Sequence, residues 1–209
     1  MKATFIGPPG AGKGTQAKLA AKSLGILHLS TGDMLRSAVK AGTKLGKEAE
    51  GYMAAGKLVP DTLVLEMLKE RLKEPDTARG FILDGFPRNV QQAEALSKIV
   101  PLDLAVYFHV PLSDLLVRLV ERRTCPKCGR LYNLKTQPPR KKMVCDDDDT
   151  KLTHRPDDTE SAVTTRFEVY EKETAPLLEL YRQKGLLRVI PATGEVDEIQ
   201  LEVISAMRK

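Results

Sequence analysis

The chain has no tryptophan, and five tyrosines with five phenylalanines bring aromatic residues to only 5% of 209 positions. So sparse a set leaves few platforms on which successive bases could stack, which argues against a single-strand nucleic-acid binder. Cysteine is scarce and odd in number, three in all. An odd set in a chain without a secretory signal argues against a disulfide framework and for a reducing compartment. The first residues, Met1 to Gly7, run into glycine and proline before a signal-peptide core could form. No stretch approaches the ~18 apolar residues of a membrane span. A cytoplasmic protein without membrane contact is therefore the expectation. Hydrophobic residues at 42% and charged ones at 29% also exclude disordered and collagen-like chains.

What is present is a modest excess of positive charge, 33 Lys+Arg against 28 Asp+Glu, a formal +5. Such a balance points to an anionic partner: nucleic acid, a membrane surface or a phosphorylated small molecule. Short, continuously apolar runs alternate with longer amphipathic ones, which predicts a parallel α/β sheet covered on both faces. The expected strands are Ala3–Ile6, Leu27–Leu29, Phe81–Asp84, Leu104–Val110 and Leu186–Ile190. Helical patterns cover Lys13–Leu24, Asp61–Lys73, Val90–Val100, Ser113–Arg122, Thr159–Lys184 and Val196–Met207, with Asp61 and Ser113 read as N-caps. Thr31–Val59 is helical but punctuated by glycine. Arg123–Asp158 has a composition of its own, and a structureless loop of that length is improbable inside a compact domain. It is read as an inserted unit.

The first strand leads into Gly7-Pro8-Pro9-Gly10-Ala11-Gly12-Lys13-Gly14-Thr15 and then a helix. Glycines let a backbone curl close around a phosphate, the helix N-terminus adds positive potential, and Lys13 supplies a mobile point charge. The segment departs from G-x-x-x-x-G-K-[ST]: Gly14 stands where the hydroxyl belongs, and Thr15 follows it. Asp84, at the end of an apolar strand, is costly to bury without a partner, and an acid at that edge commonly orients the hydration shell of Mg²⁺. A turn cap is the alternative for Asp84, and capping is equally open for Asp33.

Several further motifs follow in order: Ser30-Thr31-Gly32-Asp33-Met34-Leu35-Arg36, Gly56-Lys57-Leu58-Val59, Asp84-Gly85-Phe86-Pro87-Arg88, Gln92, Arg118, Arg122, Arg155-Pro156-Asp157-Asp158 and Arg166. With the Gly14-Thr15 variant of the phosphate loop, this set resembles the adenylate kinase family through most of the chain. The resemblance implies a P-loop nucleoside monophosphate kinase fold, with a five-stranded parallel sheet flanked by helices. It implies a core of 1–29, 60–121 and 160–209, an AMP-binding segment of 30–59 and a lid of 122–159. The implied reaction is reversible phosphoryl transfer from Mg-ATP to AMP, giving two ADP by direct in-line transfer with lid closure.

Roles follow residue by residue from the same resemblance. Lys13 and Gly10, Ala11, Gly12, Gly14 and Thr15 correspond to the ATP phosphate site. Arg36 and Arg88 correspond to the AMP phosphate clamp, and Arg122, Arg155 and Arg166 to the group converging on the transferring phosphoryl. Arg118 corresponds to the residue stacking on the ATP adenine, while Leu131, Tyr132 and Val196 touch ATP through backbone atoms. Thr31, Lys57, Leu58, Val59, Gly85, Phe86, Pro87 and Gln92 surround AMP. The partners implied are ATP, AMP and ADP, bound by a monomer in the cytoplasm.

The insert carries Cys125-Pro126-Lys127-Cys128 and then Cys145-Asp146-Asp147-Asp148. The first half has zinc-knuckle spacing, and the second repeats it with Asp148 in place of the fourth cysteine. Three sulfurs and one carboxylate oxygen form an acceptable zinc set. Asp146, Asp147, Asp149 or His154 could stand in for Asp148, and free cysteines or another metal in the same cage are the alternatives. By resemblance, zinc-bearing members of the family hold four ligands here, the fourth being Cys or Asp. A nucleic-acid-binding reading rests on the net charge, the cysteine insert and the basic stretch Pro138–Lys142. Four consecutive aspartates, Asp146 to Asp149, would repel a phosphate backbone at that place. A non-catalytic ATP-binding module would not need an arginine at each phosphate position. A kinase for GMP or pyrimidine monophosphates stays open.

Overall fold

The structure, a computed structural model, describes residues 1–208 except the side chains of Leu112, Ser113 and Val117. The Ser113 cap therefore lies outside the described residues. Five parallel strands, β1 (Lys2–Ile6), β2 (Leu27–Ser30), β3 (Phe81–Asp84), β4 (Leu104–His109) and β7 (Leu187–Pro191), form one sheet in the order β2-β3-β1-β4-β7. All five fall within one residue of their expected bounds at either end, because strands covered by helices read as short apolar runs. Successive residues face opposite sides. Ala3 and Phe5 pack with Ala17, Ala20 and Ala21 of helix α1 (Lys13–Leu24) and with Val203 and Met207 of α9 (Val196–Arg208). Ile6 and Ala105 turn the other way, onto Ala93 of α5 (Val90–Ile99) and Leu177 and Tyr181 of α8 (Pro176–Gln183). Small side chains on α1 let that helix lie close to the sheet, which brings the loop before it to the sheet's C-terminal edge.

Segment 31–59 forms two helices, α2 (Thr31–Lys40) and α3 (Lys44–Ala54). Ser30 caps the first by accepting from the Asp33 N–H at 3.2 Å, and Thr43 caps the second from Gly46 at 3.0 Å. The helix expected to begin with an Asp61 cap is α4 (Asp61–Leu72), but Pro60 holds the cap position. The Asp61 carboxylate instead accepts from Asn89 and Gln92.

One expected helix stops short and another is interrupted. Helix α6 (Leu112–Val120) stops before Arg122, which opens strand β5 (Arg122–Thr124), paired antiparallel with β6 (Leu131–Asn133). The Arg122 guanidinium is drawn instead onto the buried carboxylate of Asp158. The single helix expected over 159–184 breaks into α7 (Glu160–Val169), a π-helical turn at Tyr170–Thr174 and α8. Pro176 has no N–H to donate back to the preceding turn, so the regular ladder cannot pass through it. No helix among the described residues is long and apolar enough to cross a membrane.

Candidate active site

At the C-terminal edge of the sheet the loop after β1 and the ends of β2 and β3 open into a cleft of about 1130 Å³. That exceeds the ~300–1,000 Å³ usual for a single small ligand. In open α/β sheets, ligands bind outside the carboxyl ends of the strands where strand order reverses, and this cleft lies there. The loop's backbone explains two glycines. Gly10 has φ +84°, and a Cβ on it would lie 3.1 Å from the Leu115 carbonyl and from Leu119 Cγ. A Cβ on Gly14 would meet Asp84 Oδ2 at 3.1 Å. The Asp84 carboxylate leaves little room for a side chain at position 14, where the common motif has a hydroxyl residue.

Lys13 Nζ donates to the carbonyls of Gly7 at 2.7 Å and Pro8 at 2.8 Å. Desolvation, reinforced by the guanidinium charges of Arg88, Arg166 and Arg122, pushes its pKa down to about 7 against the pull of Asp84. An arriving polyphosphate supplies the missing negative charge and restores the protonated form. Binding of Mg-nucleotide is therefore expected to take up a proton, approaching one per site at pH 8.5 and vanishing from this group well below pH 7. Titration calorimetry in two buffers of different ionisation heat reads that uptake. Equal binding heats in both buffers at pH 8.5 would contradict it.

The five arginines gather around the same cleft. Arg122 makes a two-point contact with Asp158, Nε to Oδ2 at 2.7 Å and Nη2 to Oδ1. Arg166 Nη1 donates to Asp158 Oδ1 at 3.0 Å and to the Asp157 carbonyl at 2.9 Å. One buried carboxylate, Asp158, therefore ties two cations together. Arg155 Nε donates to the Thr124 hydroxyl at 3.0 Å, Arg36 Nη2 to Asp33 Oδ1 at 2.6 Å, and Arg88 Nε to the Gly85 carbonyl at 2.8 Å. Desolvation and like charges on Arg166 and Arg36 push Arg88 down to about 10; desolvation and the charges of Arg122 and Arg36 do the same to Arg155. Five guanidiniums and Lys13, only partly offset by Asp33, Asp84, Asp157 and Asp158, make a site suited to anions.

Asp84 is desolvated, which by itself raises its pKa, but the adjacent His28 imidazole and the Lys13 charge outweigh that and hold it below the ordinary range. His28 Nε2 lies 3.5 Å from Asp84 Oδ2. An ionised carboxylate beside the phosphate loop fits the role of orienting Mg²⁺ hydration. Asp33 is engaged by Arg36 and offers less to a metal.

Every nucleotide-site residue expected from sequence lines this cleft except Phe86 and Pro87, which are buried. Phe86 packs in a core cluster, and its carbonyl accepts from Thr4 Oγ1 at 2.8 Å. Lys57, Leu58, Val59, Thr31, Gly85 and Gln92 form one wall, and Arg118, Leu131, Tyr132 and Val196 lie toward the other end. The Val196 carbonyl accepts from Gln16 Nε2 at 2.8 Å, and Arg118 Nη1 reaches the Ala192 carbonyl at 3.2 Å. Sequence reasoning gave no role in the site to His28, Asp158, Thr124 or Thr174, and read Asp61 only as a helix cap. Thr174, in the π-helical turn, donates to the Arg88 carbonyl at 2.7 Å. A π-turn is frequent at functional sites, but its sequence signal here is no more than Pro176 two residues on.

In the insert, the ligand atoms of Cys125, Cys128, Cys145 and Asp148 all lie within 4.8 Å of one another. Zn–S bonds of about 2.3 Å place tetrahedral sulfurs about 3.8 Å apart. Cys128 and Cys145 Sγ are separated by 3.6 Å, and both Asp148 oxygens are 3.4 Å from Cys125 Sγ. The donor set fits a structural zinc. The alternative aspartates are occupied elsewhere: Asp146 accepts from the Arg140 N–H, and Asp147 pairs with Arg130. The Tyr132 ring is buried against this cluster, and its hydroxyl accepts from the Asp146 N–H at 2.8 Å.

Comparison with known proteins places these features in context. The family described as "Adenylate kinase" matches residues 5–186. The "Adenylate kinase" of Thermodesulfovibrio yellowstonii is 50% identical over 100% of both chains. Those of Methanothrix thermoacetophila and Carboxydothermus hydrogenoformans are 45% and 46% identical, each covering all of this chain and 99% and 100% of their own.

Proposed function

Because the chain belongs to the adenylate kinase family, we propose that the arginine-lined cleft is where it carries out its reaction. That reaction is reversible phosphoryl transfer from Mg-ATP to AMP giving two ADP, and it serves adenine nucleotide homeostasis. The observation that carries the assignment is the convergence of Lys13 and five arginines on one cleft that is also walled by Thr31, Gly85 and Gln92. Phosphoryl transfer asks for positioning and charge neutralisation more than for a protein nucleophile.

Lys13 and the loop Gly10–Thr15 hold the ATP phosphates, and Arg36 and Arg88 clamp the AMP phosphate. Arg122, Arg155 and Arg166 meet the phosphoryl in flight. A guanidinium fork suits a phosphate at two points and stays charged at working pH. Asp158 keeps Arg122 and Arg166 paired before substrate arrives, so their repulsion does not drive the lid open. Mg²⁺, entering with ATP, supplies further neutralisation of phosphate charge, and Asp84 orients its shell with His28 behind it. Segment 30–59 and lid 122–159 close over the 1–29, 60–121 and 160–209 core. Closure excludes water, which both strengthens the arginine electrostatics and prevents hydrolysis. A monomer acting in the cytoplasm completes this reading.

Steady-state rates with AMP, GMP, CMP and UMP test it. AMP is expected to exceed each of the others by about 10²-fold or more in kcat/KM, since the wall recognises a base by hydrogen bonds. A faster rate with another monophosphate would overturn the substrate assignment.

A further inference from the structure

Gln92 is 2% exposed on the AMP-side wall of the cleft, and its carboxamide is held at both ends. Oε1 accepts from the Arg88 backbone N–H at 2.7 Å, and Nε2 donates to Asp61 Oδ1 at 2.6 Å. A carboxylate only accepts and a backbone N–H only donates. Turning the amide over would put Nε2 against an N–H and Oε1 against a carboxylate, two repulsive contacts in a buried place. The orientation of Gln92 is therefore fixed by its neighbours, and Asp61 is the neighbour that a side-chain change can alter. Asp61 is itself anchored. Asn89 Nδ2 donates to both its oxygens, at 3.2 and 3.0 Å, while Asn89 Oδ1 accepts from the Gln92 N–H at 2.8 Å.

A glutamine amide has two hydrogens and two oxygen lone pairs. With one of each committed, Gln92 has one donor and one acceptor left for a base, in positions set by the flip. The six-position edges of purines come in two opposite patterns. Adenine offers an N6 donor beside an N1 acceptor, and a 6-oxopurine offers an O6 acceptor beside an N1–H donor. One orientation of the amide matches one pattern and opposes the other.

We propose that Asp61 is a specificity-determining residue of this enzyme. It acts as a positioning group that locks the Gln92 amide in the orientation matching the 6-amino edge of adenine and rejecting a 6-oxopurine. The inference rests on the reading that Gln92 faces the acceptor base.

The test compares AMP with inosine monophosphate, which differs from it at this edge alone, in wild type and Asp61→Asn. The asparagine amide is close in shape but can present either an oxygen or an NH₂ to Gln92. Asp61's half of the lock is then lost without a change in volume, leaving the Arg88 N–H alone to hold Oε1. Wild type is expected to prefer AMP, and in D61N the ratio of kcat/KM for AMP over inosine monophosphate is expected to fall about 10-fold or more, on the scale of one two-point base contact. KM for ATP stays level. If D61N lowers both substrates in parallel or leaves the ratio unchanged, Asp61 has no part in base choice and the inference fails alone. If wild type does not distinguish the two monophosphates, the Gln92 reading falls with it. Should D61N not fold, nitrogen-15 NMR of the wild type gives the answer. The Gln92 side-chain N–H pair is expected to be slow to exchange and to stay in one orientation with or without AMP. An averaged, rapidly exchanging pair would overturn the lock.

Discussion

Arg88→Met is expected to lower kcat/KM for AMP by about 10³-fold or more while leaving the melting temperature level or higher. The two effects have opposite signs for one reason. Arg88 keeps an exposed side chain in the open cleft, where partial desolvation and the charges of Arg166 and Arg36 push its guanidinium down to about 10. Removing it relieves repulsion in the ligand-free protein and deprives the AMP phosphate of its fork. The structural ties of this residue run through its backbone: the N–H to Gln92 and the carbonyl to Thr174 survive the change. Its side chain gives up one hydrogen bond to Gly85. Strain retained for function is a common reason that stabilising changes cost activity. Arg88→Lys should fall between, because the point charge is kept and the two-point geometry is lost. Rates and calorimetric melting on the same preparations decide it. A methionine variant that melts much lower and keeps its rate would reverse the assignment.

Metal removal is the second large effect, on stability in place of rate. The insert's own apolar cluster is Cys125, Tyr132, Cys145 and Leu152, with Met143 against it. So few side chains cannot hold a unit of this size, and zinc binding in comparable small modules supplies about 10–16 kcal/mol of apparent folding energy. With four protein ligands, no open position is left for the metal to act on substrate. Elemental analysis is expected to find one zinc per chain. Chelation or Cys128→Ser should lower the melting temperature by at least about 10 °C, since even a few of those kcal/mol count for roughly 2–4 °C each in a chain of this length. Protease cutting should appear within 125–153, and weak turnover should survive because Lys13, Arg36 and Arg88 lie outside the insert. Chelated protein that kept its melting temperature but lost all turnover would contradict a structural role.

Much of this was legible in the sequence, and the reasons differ by element. The parallel strands announce themselves because burial on two faces requires unbroken apolar runs. The phosphate loop does so because glycines, Lys13 and a helix follow one another within nine residues. What stayed hidden depends on pairings distant in sequence. His28 belongs to no motif, yet the register that sets Ser30 beside Asp84 puts His28 and Asp84 on one face of the sheet. Asp158 sits inside a quoted motif, but its function as a tie between Arg122 and Arg166 exists only once the strand bearing Arg122 folds back. The break at Tyr170–Thr174 was missed because its pattern is helical on both sides, and only Pro176 interrupts it. Asp61 read as a helix cap because a first-turn carboxylate usually is one. Pro60 took that place, and the carboxylate was free to hold Gln92.

The central claim is that two nucleotides meet in this cleft and exchange a phosphoryl group directly, with arginines and Lys13 in place of a protein nucleophile. The most direct measurement uses ATP made chiral at the γ-phosphorus with oxygen isotopes, with transfer to AMP followed by stereochemical analysis of the ADP formed. A single in-line displacement predicts inversion at phosphorus. Retention would mean two displacements through a phosphorylated enzyme and would contradict the account.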